Sequence, residues 1–230
     1  LTTIDEQAGP RAGRIRVALD EWNIRRSTNG KLARRPPRTF QDSLFVAGVL
    51  NVLVRLSPRV GMANYVFLVN GHAPILVDGD RVARSTLFHV FKKYRESLLG
   101  DALAVQVESP STTPSPPQLQ GGGFRPGEAE RPRETPWLDA AATRRDDGTL
   151  AVALINRHSS QSARVVLEGC GDASIREAWI WSHDDVLAAD DLDDPSRILP
   201  RVEAPAPSGA LRAWTCPPHS VVILTLRGEG

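Results

Sequence analysis

The residues best placed for chemistry are the acids of Asp20-Glu21-Trp22-Asn23, which follow directly on the short apolar, β-branched run Arg14 to Leu19 (RIRVAL). A carboxylate at the carboxyl end of a parallel strand occupies the position from which barrels of strands and helices build the floor of an active site. The chemistry open to such a group is attack on an electrophilic carbon or proton transfer. On position alone a solvated turn carboxylate is the more economical reading, since acids end strands routinely.

The other candidate groups point to structure. His72, His89, His158, His183 and His219 do not recur at metal-ligand spacing, so structural or surface roles are expected of them. Asp184, Asp185, Asp190, Asp191, Asp193 and Asp194 lack the alternating ligand-and-glycine order of a calcium loop and predict a solvated acidic loop. Cys170 and Cys216 form neither a CxxC pair nor a disulfide framework and are expected as free thiols of a cytoplasmic protein. Gly121-Gly122-Gly123 has no phosphate-loop lysine and precedes no helix. Trp179 and Trp181 are two apart and share one face of a strand, where an exposed pair would stack on sugar rings and a buried pair would fill a sandwich core; the core is the expectation. No metal or organic cofactor is implied.

The elements that must position Glu21 follow from periodicity. After RIRVAL, Thr39 to Leu56 carries apolar residues at helical spacing, with Asp42 or Thr39 as a cap. Ala63 to Val69 (ANYVFLV) reads as a second apolar strand and Thr86 to Leu99 as a second helix. Two successive strand-and-helix units with strands apolar on both faces imply a parallel sheet covered by helices and expecting neighbours on both edges. Residues 108–136 are dominated by Pro, Gly, Ser, Gln and charge, and read as a linker or long excursion. Beyond it the period becomes two, in Leu150 to Asn156, Ala163 to Leu167, Ile175 to Trp181 and Ser220 to Leu226, which is the cadence of an antiparallel sandwich.

With 28 basic and 27 acidic side chains the formal charge is +1, so no field holds a polyanion and nucleic acid is not the expected partner. No run approaches the roughly 18 apolar residues that span a bilayer, and Leu1 to Arg11 lacks a basic start followed by an apolar core, so neither a membrane anchor nor a secretory leader is expected.

Several separate motifs, in order, carry a family resemblance: VALDEWN, DSLFVAGVLNVLVRL, MANYVFLVNGHAPILVDGD and RVARSTLFHVF before the excursion, and PWLDAAATRRDDGTLAVALINR, DDPSRILP and PPHSVVILTL after it. Together they resemble the C-terminal part of the α-L-arabinofuranosidases of glycoside hydrolase family 51. The resemblance implies a fold of mixed class, α/β plus all-β: residues 14–99 as the last two strand-and-helix units of a (β/α)8 barrel, and residues 100–230 as an antiparallel β-sandwich of jelly-roll type. It implies that Glu21, at the end of the seventh barrel strand, is the nucleophile of a retaining mechanism. In the family the acid/base Glu follows an Asn at the end of the fourth strand, and nothing in this chain corresponds to it. A whole barrel takes roughly 250 residues, so residues 14–99 hold at most a quarter of one. The expectation is therefore a C-terminal fragment, inactive alone, whose partners are the missing N-terminal barrel portion and an arabinofuranosyl oligosaccharide from arabinan or arabinoxylan, in a parent that forms a homo-oligomer. Arg25 stands where the family commonly has a sugar-contacting aromatic, and Phe67 where it commonly has Gln; both are expected at the substrate pocket, with altered selectivity because Phe67 offers no hydrogen bond. The competing expectation is a non-catalytic sandwich that binds carbohydrate or mediates assembly.

Overall fold

The computed structural model describes residues 1–24, 27–28, 31–32, 38–113, 134–204 and 212–228. In chain order the elements are α1 (Thr2–Ala8), a 3-10 turn (Gly9–Arg14), β1 (Val17–Trp22), β2 (Ser27–Thr28), β3 (Lys31–Leu32), α2 (Phe40–Arg55), β4 (Val60–Tyr65), β5 (Ile75–Asp78), β6 (Arg81–Arg84), α3 (Thr86–Ser97) and β7 (Asp101–Leu103). They continue with β8 (Ser111–Thr112), β9 (Thr135–Pro136), β10 (Leu138–Arg144), β11 (Leu150–Asn156), β12 (Ala163–Val166), β13 (Ser174–Ser182), β14 (Arg201–Glu203), β15 (Ala213–Cys216) and β16 (Ser220–Arg227). Sheet dominates, with few helices.

β1 and β4 pair in parallel across the α2 crossover, as two apolar runs joined by an amphipathic helix must if the helix is to cover them. Both strands lie a few residues from where periodicity put them. Arg14 ends the 3-10 turn, so β1 begins at Val17 and runs through the acids; β4 begins at Val60 and ends at Tyr65, so Phe67 lies beyond the strand. Among the described residues one face of this pair is covered, by the helices, and Ala18, Asp20, Glu21, Met62 and Asn64 of the pair are exposed.

The centre of the molecule is a six-stranded antiparallel sheet in the order β14-β13-β16-β11-β10-β7. Alternation along its strands feeds two cores. Ala153 and Ile155, Trp179 and Trp181, and Val221 and Ile223 turn to one face and pack with Phe40, Val46 and Ala47 of α2 and Leu87, Val90 and Tyr94 of α3. Val152 and Leu154, Ala178 and Ile180, and Val222 and Leu224 turn to the other face and pack with Val165, Leu167 and Trp214 of the β12-β15 ribbon. Both faces of the sheet are thus buried, which is why β11 and β16 read as nearly continuous apolar runs. The Trp179–Trp181 pair is in a core, as expected, with rings stacked at 6.2 Å, but the core is the one shared with the helices. The helices are tied together by the buried Tyr94 hydroxyl, which donates to Asn51 Oδ1 at 2.7 Å, and α2 to the sheet by Arg55, paired with Asp139 at 2.8 Å.

The long excursion leaves and returns at one place, because β8 pairs with β9; residues 114–133 lie outside the described residues. Cys170 and Cys216 are free thiols. The acidic loop between β13 and β14 departs from expectation at one residue: Asp190 is wholly buried.

Candidate active site

Glu21 is the penultimate residue of β1, inside the strand. The register there is broken. Leu19 pairs with Ala63 and Trp22 with Tyr65, so Asp20 and Glu21 together oppose the single residue Asn64. A bulge of this kind re-aims side chains and is common beside active sites. Trp22 turns into the helix-side core, where its ring meets Tyr65 edge-on at 4.9 Å and Phe91 at 6.1 Å. The Tyr65 hydroxyl donates to the His72 carbonyl at 2.7 Å, and burial pushes its pKa well up. With Trp22 anchored inward, its neighbour Glu21 is left exposed on the uncovered face, at the carboxyl end of the strand. Among the described residues no hydrogen bond or ion pair holds its carboxylate. Beyond it, Asn23 Oδ1 accepts the Ile24 N–H at 2.6 Å and turns the chain out of the sheet.

Phe67 emerges at the same end, since the Val66 N–H donates to the Trp22 carbonyl at 3.0 Å one residue before it. It follows a cis peptide bond and is 60% exposed, with Leu68 and Val69 exposed after it. The loop that carries them is pinned to β5 through Asn70, in the left-handed region at φ 57°, whose Nδ2 donates to the Val77 carbonyl and whose Oδ1 accepts the Val77 N–H. The structure therefore brings Glu21 and Phe67 to one end of the parallel pair. Arg25 lies outside the described residues. Val60 to Pro74, β4 and its following loop, contains no acidic residue, so the neighbouring strand supplies no second carboxyl.

Two of the histidines meet through the backbone, where the His219 N–H donates to the His158 carbonyl at 3.2 Å. His89 stacks on Trp181 at 4.8 Å, and burial, helped by Arg84 and Lys92, lowers its pKa to about 4; His72 is buried beside Tyr65. Among the described residues no three His, Cys, Asp or Glu side chains gather as metal ligands would. A concavity of about 760 Å³ lies elsewhere, walled by Arg144, Asp147, Cys170, Asp172 and Arg227. Neither Glu21 nor Phe67 is among its lining residues.

Sequence reasoning missed the bulge, the Trp22–Tyr65–Phe91 anchor and the β5–β6 hairpin. The hairpin was signalled by Gly79-Asp80, the two-residue loop between Ile75–Asp78 and Arg81–Arg84, with Gly79 at φ 61°. The bulge depends on a partner strand and has no local signal.

An exposed acid at the carboxyl end of a parallel strand, on a sheet-dominated chain, is the setting in which carboxylate glycoside hydrolases work. Residues 20–220 match the family described as the α-L-arabinofuranosidase C-terminal domain, and the chain belongs to that family. Among curated relatives it is 29% identical over 174 residues to the probable α-L-arabinofuranosidase C of Aspergillus niger, covering 74% of this chain and 32% of the relative. It is 26% identical to an exo-α-(1→6)-L-arabinofuranosidase of Bifidobacterium longum, covering 89% of this chain and 40% of that one. The chain thus spans about a third of the length of the first of these. Its structure resembles the GH51 arabinofuranosidase from Xanthomonas axonopodis pv. citri, with TM-score 0.72, 25% identity, and 98% of this chain against 44% of that chain covered. It also resembles the α-L-arabinofuranosidase from Thermotoga maritima in complex with arabinose, with TM-score 0.77, 22% identity, and 97% against 45% covered.

Proposed function

We propose that this chain is the C-terminal portion of a retaining α-L-arabinofuranosidase that removes terminal non-reducing arabinofuranosyl groups from arabinan and arabinoxylan oligosaccharides, with Glu21 as the nucleophile. The observation that supports it most is the bulge at Asp20–Glu21: in a segment matched to the family, it leaves this carboxylate, and not its neighbour Trp22, on the open face at the strand's carboxyl end. In this reading residues 14–99 are the last two units of a (β/α)8 barrel, and residues 100–230 are the sandwich, of jelly-roll type.

The chemistry runs in two displacements. The ionised Glu21 carboxylate attacks the anomeric carbon as the glycosidic bond breaks, and a second carboxyl about 5 to 5.5 Å away protonates the departing oxygen. That group then takes a proton from water, which attacks the same carbon and returns Glu21 as carboxylate. The second carboxyl comes from sequence outside this chain, so residues 1–230 alone are inactive. Arg25 and Phe67 border the sugar, and Phe67, unable to hydrogen-bond, shifts the choice among furanosides. The test is hydrolysis of a chromogenic arabinofuranoside by the protein bearing this sequence together with a preceding barrel portion, followed by NMR of the first-formed product. Release of the α-anomer supports the reading; release of the β-anomer, or no hydrolysis of any furanoside by a folded protein, overturns it.

A further inference from the structure

Asp190 is the one member of its acidic loop that is fully buried. Its Oδ1 accepts the Ile198 N–H at 2.8 Å, while Oδ2 is buried with no hydrogen-bond partner among the described residues. An ionised carboxylate in such a place carries an uncompensated desolvation cost that its neutral form largely avoids. The loop it anchors is placed to matter. Its Ala188 and Val186 carbonyls accept the Phe40 and Gln41 N–H groups at 2.8 Å each, and Ala189 bridges to Thr39. These are the orphan donors of the first turn of α2, so the loop from the sandwich completes the cap of a helix in the other part of the molecule. That turn also ends the segment that leaves Glu21 and crosses residues 25–37 to reach α2.

We propose that the β13–β14 loop is a pH-operated clasp on the start of α2, closed firmly when Asp190 carries a proton and loosened when Asp190 is ionised. The charges around it run in one direction. On its own loop Asp191 and Asp194 oppose ionisation, and only backbone N–H groups favour it. At the start of α2, Arg38 just before the cap and Asp42 in the first turn approach each other at 3.7 Å. From β6, Arg81 is committed to Asp78 and Asp193. On β13's side, His183 is half-buried and its ring is bonded within the loop to the Asp185 backbone. Burial is the leading cause that raises the Asp190 pKa, to about 6 from 3.8. The sign follows: a carboxyl whose folded pKa is raised adds stability as pH falls from about 6 toward 3.8, and that contribution is gone above about 6. His89 works the other way over much of the same range, since its lowered pKa favours the unfolded chain on acidification. A global melt therefore mixes the two, and the clasp has to be read locally.

The experiment is amide hydrogen exchange of the whole 230-residue chain at pH 5 and pH 7.5, corrected for intrinsic rates and read at Phe40 and Gln41. Protection should fall on going to pH 7.5 by no more than about 10-fold and by clearly more than 2-fold, the range set by a pKa near 6 with part of the effect screened. In Asp190→Asn the same two amides should show protection independent of pH. A direct carbon-13 titration of the Asp190 carboxyl serves if that variant does not fold, with a midpoint near 6 expected. Equal protection at both pH values, a pH dependence that survives Asp190→Asn, or a carboxyl midpoint below about 4.5 overturns the clasp.

Discussion

Trp181→Ala tests how the molecule is held together. Trp181 is fully buried between Phe40 of α2, His89 of α3 and Trp179 of its own strand, at ring separations of 5.7, 4.8 and 6.2 Å. A buried tryptophan removes about 200 Å² of mostly apolar surface from water, which at about 25 cal/mol per Å² is about 5 kcal/mol. Its Nε1–H is buried without a partner among the described residues, and that offsets about 1 to 3 kcal/mol of the gain. The unfilled space left by alanine adds back a comparable amount, so the expected loss is about 5 kcal/mol, the upper end of what such truncations cost. Since the ring belongs to the core shared by α2, α3 and the six-stranded sheet, the loss should appear in one transition. Urea unfolding of the chain, followed by far-ultraviolet circular dichroism and by tryptophan fluorescence, should shift to a lower midpoint by the same amount in both signals. A loss under about 1 kcal/mol, or a shift confined to the helical signal while the sheet unfolds as before, would refute the shared core.

Two further perturbations address other parts of the fold. Gly100→Ala should cost at least about 3 kcal/mol, because φ is +96° and a Cβ would lie 2.1 Å from the Arg144 carbonyl oxygen, a backbone atom that cannot step aside; the midpoint of denaturant unfolding measures it. His89→Phe keeps a ring against Trp181 but removes the titration. As pH falls from about 6.5 to 4, the wild type should lose stability relative to the variant, since its unfolded chain takes up the proton and its folded form does not; paired unfolding curves at pH 7 and pH 4.5 show the difference.

Much of this was legible in the chain. The helical stripes of α2 and α3 and the alternation of β11, β13 and β16 lie where periodicity places them, because each is set by which side chains must leave water together. The strands flanking the site were legible only approximately. Arg14 and Ile15 look like strand yet lie at or after a 3-10 turn, and Val66 to Val69 look like strand yet leave the sheet, since for short apolar runs the partner strand and not local preference decides the ends. Reading the parallel pair and the sandwich as separately covered layers also missed a packing fact. Trp179 and Trp181 serve the helices and not the second sheet, and alternation cannot say which layer a face will meet. Buried Asp190 was read with its acidic neighbours because burial of one aspartate in six is a tertiary event. That Glu21 sits near the end of a strand was legible from the apolar run before it, but the bulge that exposes it was not.

The central claim is that Glu21 forms the bond to the sugar. The most direct measurement traps that bond: an activated 2-fluoro arabinofuranosyl inhibitor, added to the active protein that contains this chain, slows breakdown of the glycosyl-enzyme so that the labelled residue is read by peptide mass spectrometry. The label is expected on Glu21, and Glu21→Gln should take none while losing several orders of magnitude in turnover. A label on any other carboxylate, or near-normal turnover in Glu21→Gln, would contradict it.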